Sequence, residues 1–241
     1  MRILITNDDS ISSPVLAPLA KWAQKLGEVT VVVPKFEQSG KSHSIELHKP
    51  FEVRAVEDLV PGVRTFTVDS SPADCVRYAI LGMQETFDLV LSGINRGLNI
   101  GTDIIYSGTA GAAAEAVALG CKAVALSTEP ESFESAITHL DTVLDFFVRH
   151  DLLAKHDFYN VNIPLTVKGL RVTRQGGPFY SDDFPSIGND LVRPTGKCIY
   201  REGHDYTVDT HAALHGYISV SPLVFDRTAH DVLAQLSHLN P

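Results

Sequence analysis

The chain has 241 residues, of which 44% are hydrophobic and 20% charged, and a formal net charge of −9. That length buries a sizeable core and allows one α/β unit with or without a smaller appendage, while the composition excludes extended disorder. The acidic balance and the absence of a Lys/Arg stripe exclude a binder of duplex DNA or RNA, which must neutralise many phosphates with clustered basic side chains.

From the N-terminus onward, apolar runs rich in β-branched residues at Arg2 to Thr6, Val29 to Val33, Asp88 to Leu91 and Lys122 to Leu126 predict buried parallel strands. Helical patterns alternate with them over Pro14 to Leu26, Pro72 to Leu81, Thr109 to Leu119 and Ser132 to Val148. The alternation predicts a Rossmann-like, doubly wound α/β core with a mostly parallel sheet over residues 1–156. Gly27 and Gly120 each stand between a helix and a strand, where a left-handed cap suits a residue without Cβ. Residues 157–241 read as a β-rich extension, with short strands at Tyr159 to Ile163, Leu170 to Thr173, Lys197 to Arg201 and Tyr217 to Val220. A closing helix is expected from about Asp226, and Gln175 to Asp190 is the least regular stretch.

No apolar run reaches the ~18 residues of a membrane span, and MRILITNDD enters a strand with no cleavable leader. Cys75, Cys121 and Cys198 are an odd set without CxxC spacing, which fits reduced structural thiols. A cytoplasmic protein that does not engage membranes is expected.

Open α/β sheets bind ligands beyond the carboxyl ends of their strands. Those positions are polar here: Asn7-Asp8-Asp9-Ser10 after the first strand, Gln38-Ser39-Gly40-Lys41-Ser42 after the second, and Ser92-Gly93-Ile94-Asn95-Arg96-Gly97 after the Asp88 strand. Two adjacent carboxylates repel unless a cation lies between them, although such a pair can also merely cap the next helix. With Asp8, Asp9, the Ser39 hydroxyl and the Asn95 carbonyl as oxygen ligands, the cation is a hard one: Mg²⁺, Mn²⁺ or Ca²⁺. At Tyr106-Ser107-Gly108-Thr109, free amides, two hydroxyls and a helix dipole converge as a seat for phosphate. Neither a Walker loop nor a GxGxxG fingerprint is present.

Ile5-Thr6-Asn7-Asp8-Asp9, Gln38-Ser39-Gly40 with Ser42 and Ser44, Ser92-Gly93-Ile94-Asn95 with Gly97, Asn99, Gly101 and Asp103, and Tyr106-Ser107-Gly108-Thr109 with Gly111 to Ala113 together carry a resemblance. Asn160-Val161-Asn162-Ile163-Pro164 and Gly216-Tyr217-Ile218-Ser219-Val220, before Pro222-Leu223, extend it. The chain resembles the SurE family of stationary-phase survival protein nucleotidases over residues 1 to about 223. The resemblance implies one divalent metal per subunit at Asp8, Asp9, Ser39 and Asn95. It implies phosphate contacts from Gly40, Ser42, Ser107, Gly108 and Thr109, and a homodimer or homotetramer built partly by exchange of C-terminal elements. Two positions depart from the family pattern: Ser10 and Val15 stand where glycine is usual, and at position 10 a positive φ would cost a serine ~1 kcal/mol. Val208-Asp209 stands where Thr-Asp is expected.

The expected activity is hydrolysis of nucleoside 5′-monophosphates, with 3′-monophosphates and short polyphosphate as further candidate substrates. Asp8, Asp9 and Asn95 form the catalytic set, Asp9 being favoured for proton handling. Asn7 and Arg96 join the substrate contacts. Two rival readings exist: a haloacid-dehalogenase-type phosphatase with an aspartyl-phosphate intermediate, which wants DxD rather than adjacent aspartates, and a nucleotide-sensing module without turnover.

Overall fold

The structure is a computed structural model that describes residues 1–239, so the last two residues of the predicted 157–241 extension lie outside the described residues. Its elements are β1 (Arg2–Thr6), α1 (Leu16–Ala23), β2 (Glu28–Pro34), β3 (Val53–Val56), β4 (Arg64–Val68), α2 (Pro72–Arg77), β5 (Leu89–Arg96), α3 (Gly108–Ala118), β6 (Lys122–Thr128), α4 (Glu134–Arg149), α5 (Leu152–Lys155) and β7 (Phe158–Ile163). Then follow β8 (Gly169–Val172), β9 (Tyr180–Asp183), β10 (Ser186–Gly188), β11 (Leu191–Val192), β12 (Thr195–Cys198), α6 (Asp209–Leu214), β13 (Tyr217–Pro222) and α7 (His230–Leu236). A π turn, Tyr78–Gly82, continues α2, and a 3-10 turn, Gly101–Tyr106, precedes α3.

Nine strands form one sheet in the order β3, β4, β2, β1, β5, β6, β7, β13, β8. The run from β4 to β7 is parallel throughout. β3 and β13 pair antiparallel with β4 and β7, and β8 lies parallel to β13 at the edge. The Rossmann-like, mostly parallel sheet expected from the alternation is therefore present, with antiparallel strands added toward the C-terminus. Two antiparallel pairs, β9 with β12 and β10 with β11, stand outside it.

Alternating side chains feed two apolar layers, because successive residues of a strand point to opposite faces. Ile3, Ile5, Val31 and Val33 pack with α1 and α4 through Leu16, Leu19, Leu140 and Phe147. Leu4, Val32 and Val90 pack with α2 and α3 through Val76, Ala112, Ala113 and Ala116. Each fully buried Ile or Leu contributes about 1.5–3 kcal/mol, so the central strands are the most firmly held part of the chain. Helix α3 is buried from Gly108 to Ala116, its small residues letting it sit close against the sheet and α2.

Several boundaries move. β5 runs on from Leu91 to Arg96, so the Ser92–Asn95 segment is strand with a register irregularity opposite β6 rather than loop. β3 and β4 give weak sequence signals: β3 is largely exposed, and β4 mixes Arg and Thr with its apolar residues. β12 lies two to three residues before the expected Lys197–Arg201 strand, and α7 starts at His230 because Asp226 is a turn residue that accepts from Thr228 N and His230 Nε2. Gly120 has the expected left-handed φ of +85°, but Gly27 does not. Gly27 is needed for a different reason: a Cβ there would stand 1.9 Å from the Met1 carbonyl oxygen, which accepts from Glu28 N.

Candidate functional site

Three strand ends and one helix start build the site. Beyond β1, Asn7 turns back and its Nδ2 donates to the Ser10 carbonyl at 2.9 Å, closing a turn that holds Asp8 and Asp9. Ser10 does take the positive φ, +71°, that glycine would adopt without cost, and its Oγ lies 2.8 Å from Ser12 Oγ. Beyond β2, Gln38 N donates to the Asp8 carbonyl at 2.8 Å, bringing the Ser39–Ser44 loop to the carboxylate pair. Ser42 N donates to Tyr106 O at 3.0 Å and Ser42 Oγ to Ile105 O at 2.6 Å. Gly111 lets this loop lie directly on α3, since a Cβ there would approach Ser42 O to 2.5 Å.

From the third side, β5 delivers Asn95 and Arg96. Gly93 is obligatory in this stretch, with φ +136° and a hypothetical Cβ 2.2 Å from Leu126 O. Arg96 N donates to Asp9 Oδ2 at 3.0 Å, and Asn95 Nδ2 donates to Gly97 O at 2.8 Å, so neither Asp9 Oδ1 nor Asn95 Oδ1 takes a side-chain hydrogen bond among the described residues. From the fourth side, Thr109 Oγ1 donates to Asp8 Oδ1 at 2.6 Å. Gly108 admits the carboxylate: a Cβ there would lie 3.0 Å from Asp8 Cβ.

Asp8 is only 5% exposed, and burial pushes its carboxyl up to about 6 despite the Thr109 hydrogen bond, with Asp9 raising it further. Burial also raises Asp9, against the Arg96 amide that holds it down. Two carboxylates in this environment cost free energy as anions unless positive charge is supplied. The atoms available to supply a cation's ligands are hard oxygens: Asp8 Oδ2, Asp9 Oδ1, Asn95 Oδ1 and the lone pairs of Ser39 Oγ, whose proton goes to Glu37 Oε1 at 2.7 Å. No group of three His, Cys, Asp or Glu that could hold a metal occurs among the described residues, so a cation here draws on two carboxylates plus neutral oxygens. That donor set fits Mg²⁺, Mn²⁺ or Ca²⁺. Asn7 Oδ1 is buried beside the pair without a hydrogen-bond partner among the described residues, a further acceptor in the same turn.

The predicted phosphate contacts are placed differently from one another. Ser107 caps α3, its Oγ accepting from Ala110 N at 3.0 Å, and the Thr109 and Ser42 hydroxyls are committed to Asp8 and Ile105. The Gly108 and Thr109 amides at the helix start make no backbone hydrogen bond among the described residues. Gly40, with φ +69°, has open space where a Cβ would stand, so its glycine serves the turn alone. The Arg96 head is tethered away, Nε donating to Pro130 O at 2.9 Å.

Other positioning residues were not assigned roles in the sequence. Asn160 and Asn162, wholly buried on β7, both donate through Nδ2 to Asn99 O, and Asn162 Oδ1 accepts from Asn99 N at 2.8 Å. Asp209, also buried, accepts from Gly101, Gly176 and Thr210 amides. Glu115, on α3, takes His43 Nε2 at 2.6 Å and Arg77 Nη1 at 2.8 Å, which anchors the Ser39–Ser44 loop. The available signal was polarity at alternate positions of otherwise apolar elements: Asn-Val-Asn in β7 and a lone Glu in the alanine helix.

Comparison with known proteins gives the family. The family model described as "Survival protein SurE" matches residues 3–182. A protein named 5′-nucleotidase SurE from Syntrophotalea carbinolica is 39% identical over 95% of this chain and 93% of its own length, and its counterpart in Clostridium beijerinckii is 32% identical over 99% of both. The crystal structure of a SurE protein from Aquifex aeolicus superposes with a TM-score of 0.80 at 32% identity, covering all of both chains. Matched over most of its length by the family model and along nearly all of it by relatives of 32–39% identity, the chain belongs to the SurE family.

Proposed function

We propose that this chain is a metal-dependent phosphatase that hydrolyses nucleoside 5′-monophosphates to nucleoside and phosphate in the cytoplasm, with 3′-monophosphates and short polyphosphate as additional substrates. The observation that carries it is the buried Asp8 carboxylate beside Asp9, ringed by oxygen donors and set against the start of α3. The names of the relatives, 5′-nucleotidases, support the substrate class. Free thiols at Cys75, Cys121 and Cys198 fit a reducing compartment, and no described helix is long and apolar enough to cross a membrane.

Asp8, Asp9, Ser39 and Asn95 hold the cation, one per subunit. When bound, it supplies Lewis-acid polarisation at phosphorus and lowers the pKa of water. The chain's own groups do the rest. The Gly108 and Thr109 amides and the Gly40 turn face the phosphoryl oxygens, where fixed dipoles stabilise the charge that builds up during in-line displacement. Asp9 handles the proton of the attacking water, its carboxylate kept in place by the Arg96 N hydrogen bond to Oδ2. Thr109 orients Asp8, and Asn7 shapes the turn. Residues 157–241 serve subunit assembly as a homodimer or homotetramer, through the exposed Ile187, Leu191 and Val192 of the outer hairpin and the exposed face of α7.

The test is a panel of nucleoside 5′- and 3′-monophosphates and polyphosphate, assayed with Mg²⁺, Mn²⁺ and Ca²⁺ on the parent and Asp9→Asn proteins. Phosphate release from the 5′-monophosphates that Asp9→Asn abolishes is the expected result. Release from none of them would favour a nucleotide sensor, and a trapped aspartyl-phosphate would favour covalent catalysis.

A further inference from the structure

Next to the phosphate seat lies a cavity of about 520 Å³, between the 3-10 turn Gly101–Tyr106 and the hairpin formed by β9 and β12. Ile105, Tyr106 and Asp103 line one wall, and Tyr180, Asp182 and Gly196 the other. One wall of the cavity is tied to the seat: Tyr106 precedes Ser107, and Ser42 is held by the carbonyls of Ile105 and Tyr106.

The sequence builds this hollow deliberately at each point. Tyr180 and Asp182 are two apart on β9 and so share a face. Their cross-strand neighbour Gly196 pairs with Asp182, leaving that face without a bulky side chain opposite the carboxylate. The two walls are latched together, with Asp103 Oδ2 accepting from Phe179 N and Tyr180 N, and Thr102 N donating to Gly177 O. Gly101 must be glycine, because a Cβ there would stand 2.1 Å from Gly177 O. Yet Ile105, Tyr106 and Tyr180 stay more than half exposed. Exposed aromatic rings beside a polar site present flat apolar faces, which stack well on a nucleobase.

We propose that this cavity takes the nucleoside half of the substrate, with the base against Tyr106 and Tyr180 and its N–H donors turned toward Asp182. A carboxylate accepts two parallel hydrogen bonds from the N1–H and 2-amino group of guanine, but only one from hypoxanthine, so guanine nucleotides are preferred over inosine nucleotides. The assignment rests on the nucleotidase reading only for its catalytic consequence, because nucleoside binding needs no phosphate chemistry.

The experiment therefore has two arms. Calorimetric titration with guanosine and with inosine is performed on the parent protein, Tyr180→Ala and Asp182→Asn, with circular dichroism confirming that the variants are folded. Tyr180→Ala is expected to weaken guanosine binding about tenfold, and Asp182→Asn to erase the preference for guanosine over inosine. In the kinetic arm, Tyr180→Ala should lower the ratio of kcat/KM for GMP to that for glycerol phosphate by a similar factor. Guanosine that fails to bind the parent, or binds Tyr180→Ala equally well, overturns the assignment. A chain that binds guanosine through Tyr180 but hydrolyses no ester upholds the cavity and rejects the phosphatase reading instead.

Discussion

The ends of β1, β2 and β5 and the outer hairpins of residues 180–198 follow opposite rules of construction. At these strand ends Asn7, Asp8 and Ser92 are buried and Asp9 is half-buried, and the two carboxylates are bonded to different elements, Asp8 to α3 and Asp9 to β5. In the hairpins every residue of β9 to β12 is exposed, including Phe184, Ile187 and Leu191 nearby or within them. The first region accepts the cost of confined charge in exchange for fixed geometry, whereas the second leaves apolar side chains exposed. A substitution should therefore act on chemistry and stability together in the first region, and on binding or assembly with little change in folding stability in the second.

The largest effect is expected at the carboxylate pair. Asp8→Asn should reduce phosphate release by at least about 10²–10³-fold, as loss of a group directed at the reacting centre does. The same variant should melt higher than the parent when both are metal-free. A carboxyl raised to about 6 in the folded state contributes stability below its unfolded value of 3.8 and loses it as pH rises through about 6, so at pH 7 the neutral amide gains on the order of 2–3 kcal/mol. Differential scanning calorimetry at pH 7 checks this, and an Asp8→Asn protein with a lower melting temperature would break the contrast between the two regions.

Gly111→Ala comes next. The added methyl meets Ser42 O at 2.5 Å, and displacing the loop should cost about 1–3 kcal/mol and raise KM for phosphate esters. Urea titration and initial rates measure both.

A smaller, pH-dependent effect is expected at Glu115, whose carboxyl is held below its usual range by the His43 hydrogen bond first and Arg77 second. A lowered acid contributes stability above its unfolded value near 4.5 and loses it as pH falls through the folded value. Glu115→Gln should accordingly cost about 1–2 kcal/mol at pH 7 and much less in strong acid, read from denaturation midpoints across pH 3–7.

Ser10→Gly should be close to neutral and mildly stabilising. Relief of the φ of +71° is worth about 1 kcal/mol, offset in part by the freer unfolded glycine and the lost Ser12 contact. The smallest change in folding stability, under about 0.5 kcal/mol, is expected for Ile187→Ser in the outer hairpin. Analytical ultracentrifugation of that variant sharpens the comparison, since the assembly role proposed for the hairpin predicts a lower mass at equal stability.

The sequence discloses these regions unequally, for physical reasons. Long apolar runs such as Val29 to Val33 are readable because burial on both faces leaves only one structure for them, and the paired aspartates are readable because adjacent like charges demand an explanation. The extension of β5 to Arg96 was hidden, since Ser, Gly and Asn have low strand propensity and pair there only because β6 is alongside. The partners of Asp209, Asn160 and Glu115 were hidden as well. Apart from the adjacent Thr210 amide on Asp209, these partners lie from 33 to 108 residues away, and a local pattern carries no record of such pairings. Gly27 shows the same lesson in reverse, a correctly noticed glycine whose cause was a distant backbone and not its own torsion.

The central claim is that a hard cation seated on Asp8, Asp9, Ser39 and Asn95 is required for turnover. Phosphate release from AMP should be measured on protein stripped with a chelator and then refilled with Mn²⁺ or Mg²⁺. A loss of at least about 100-fold on stripping and full recovery on refilling are expected. An undiminished rate in the stripped protein would contradict the claim.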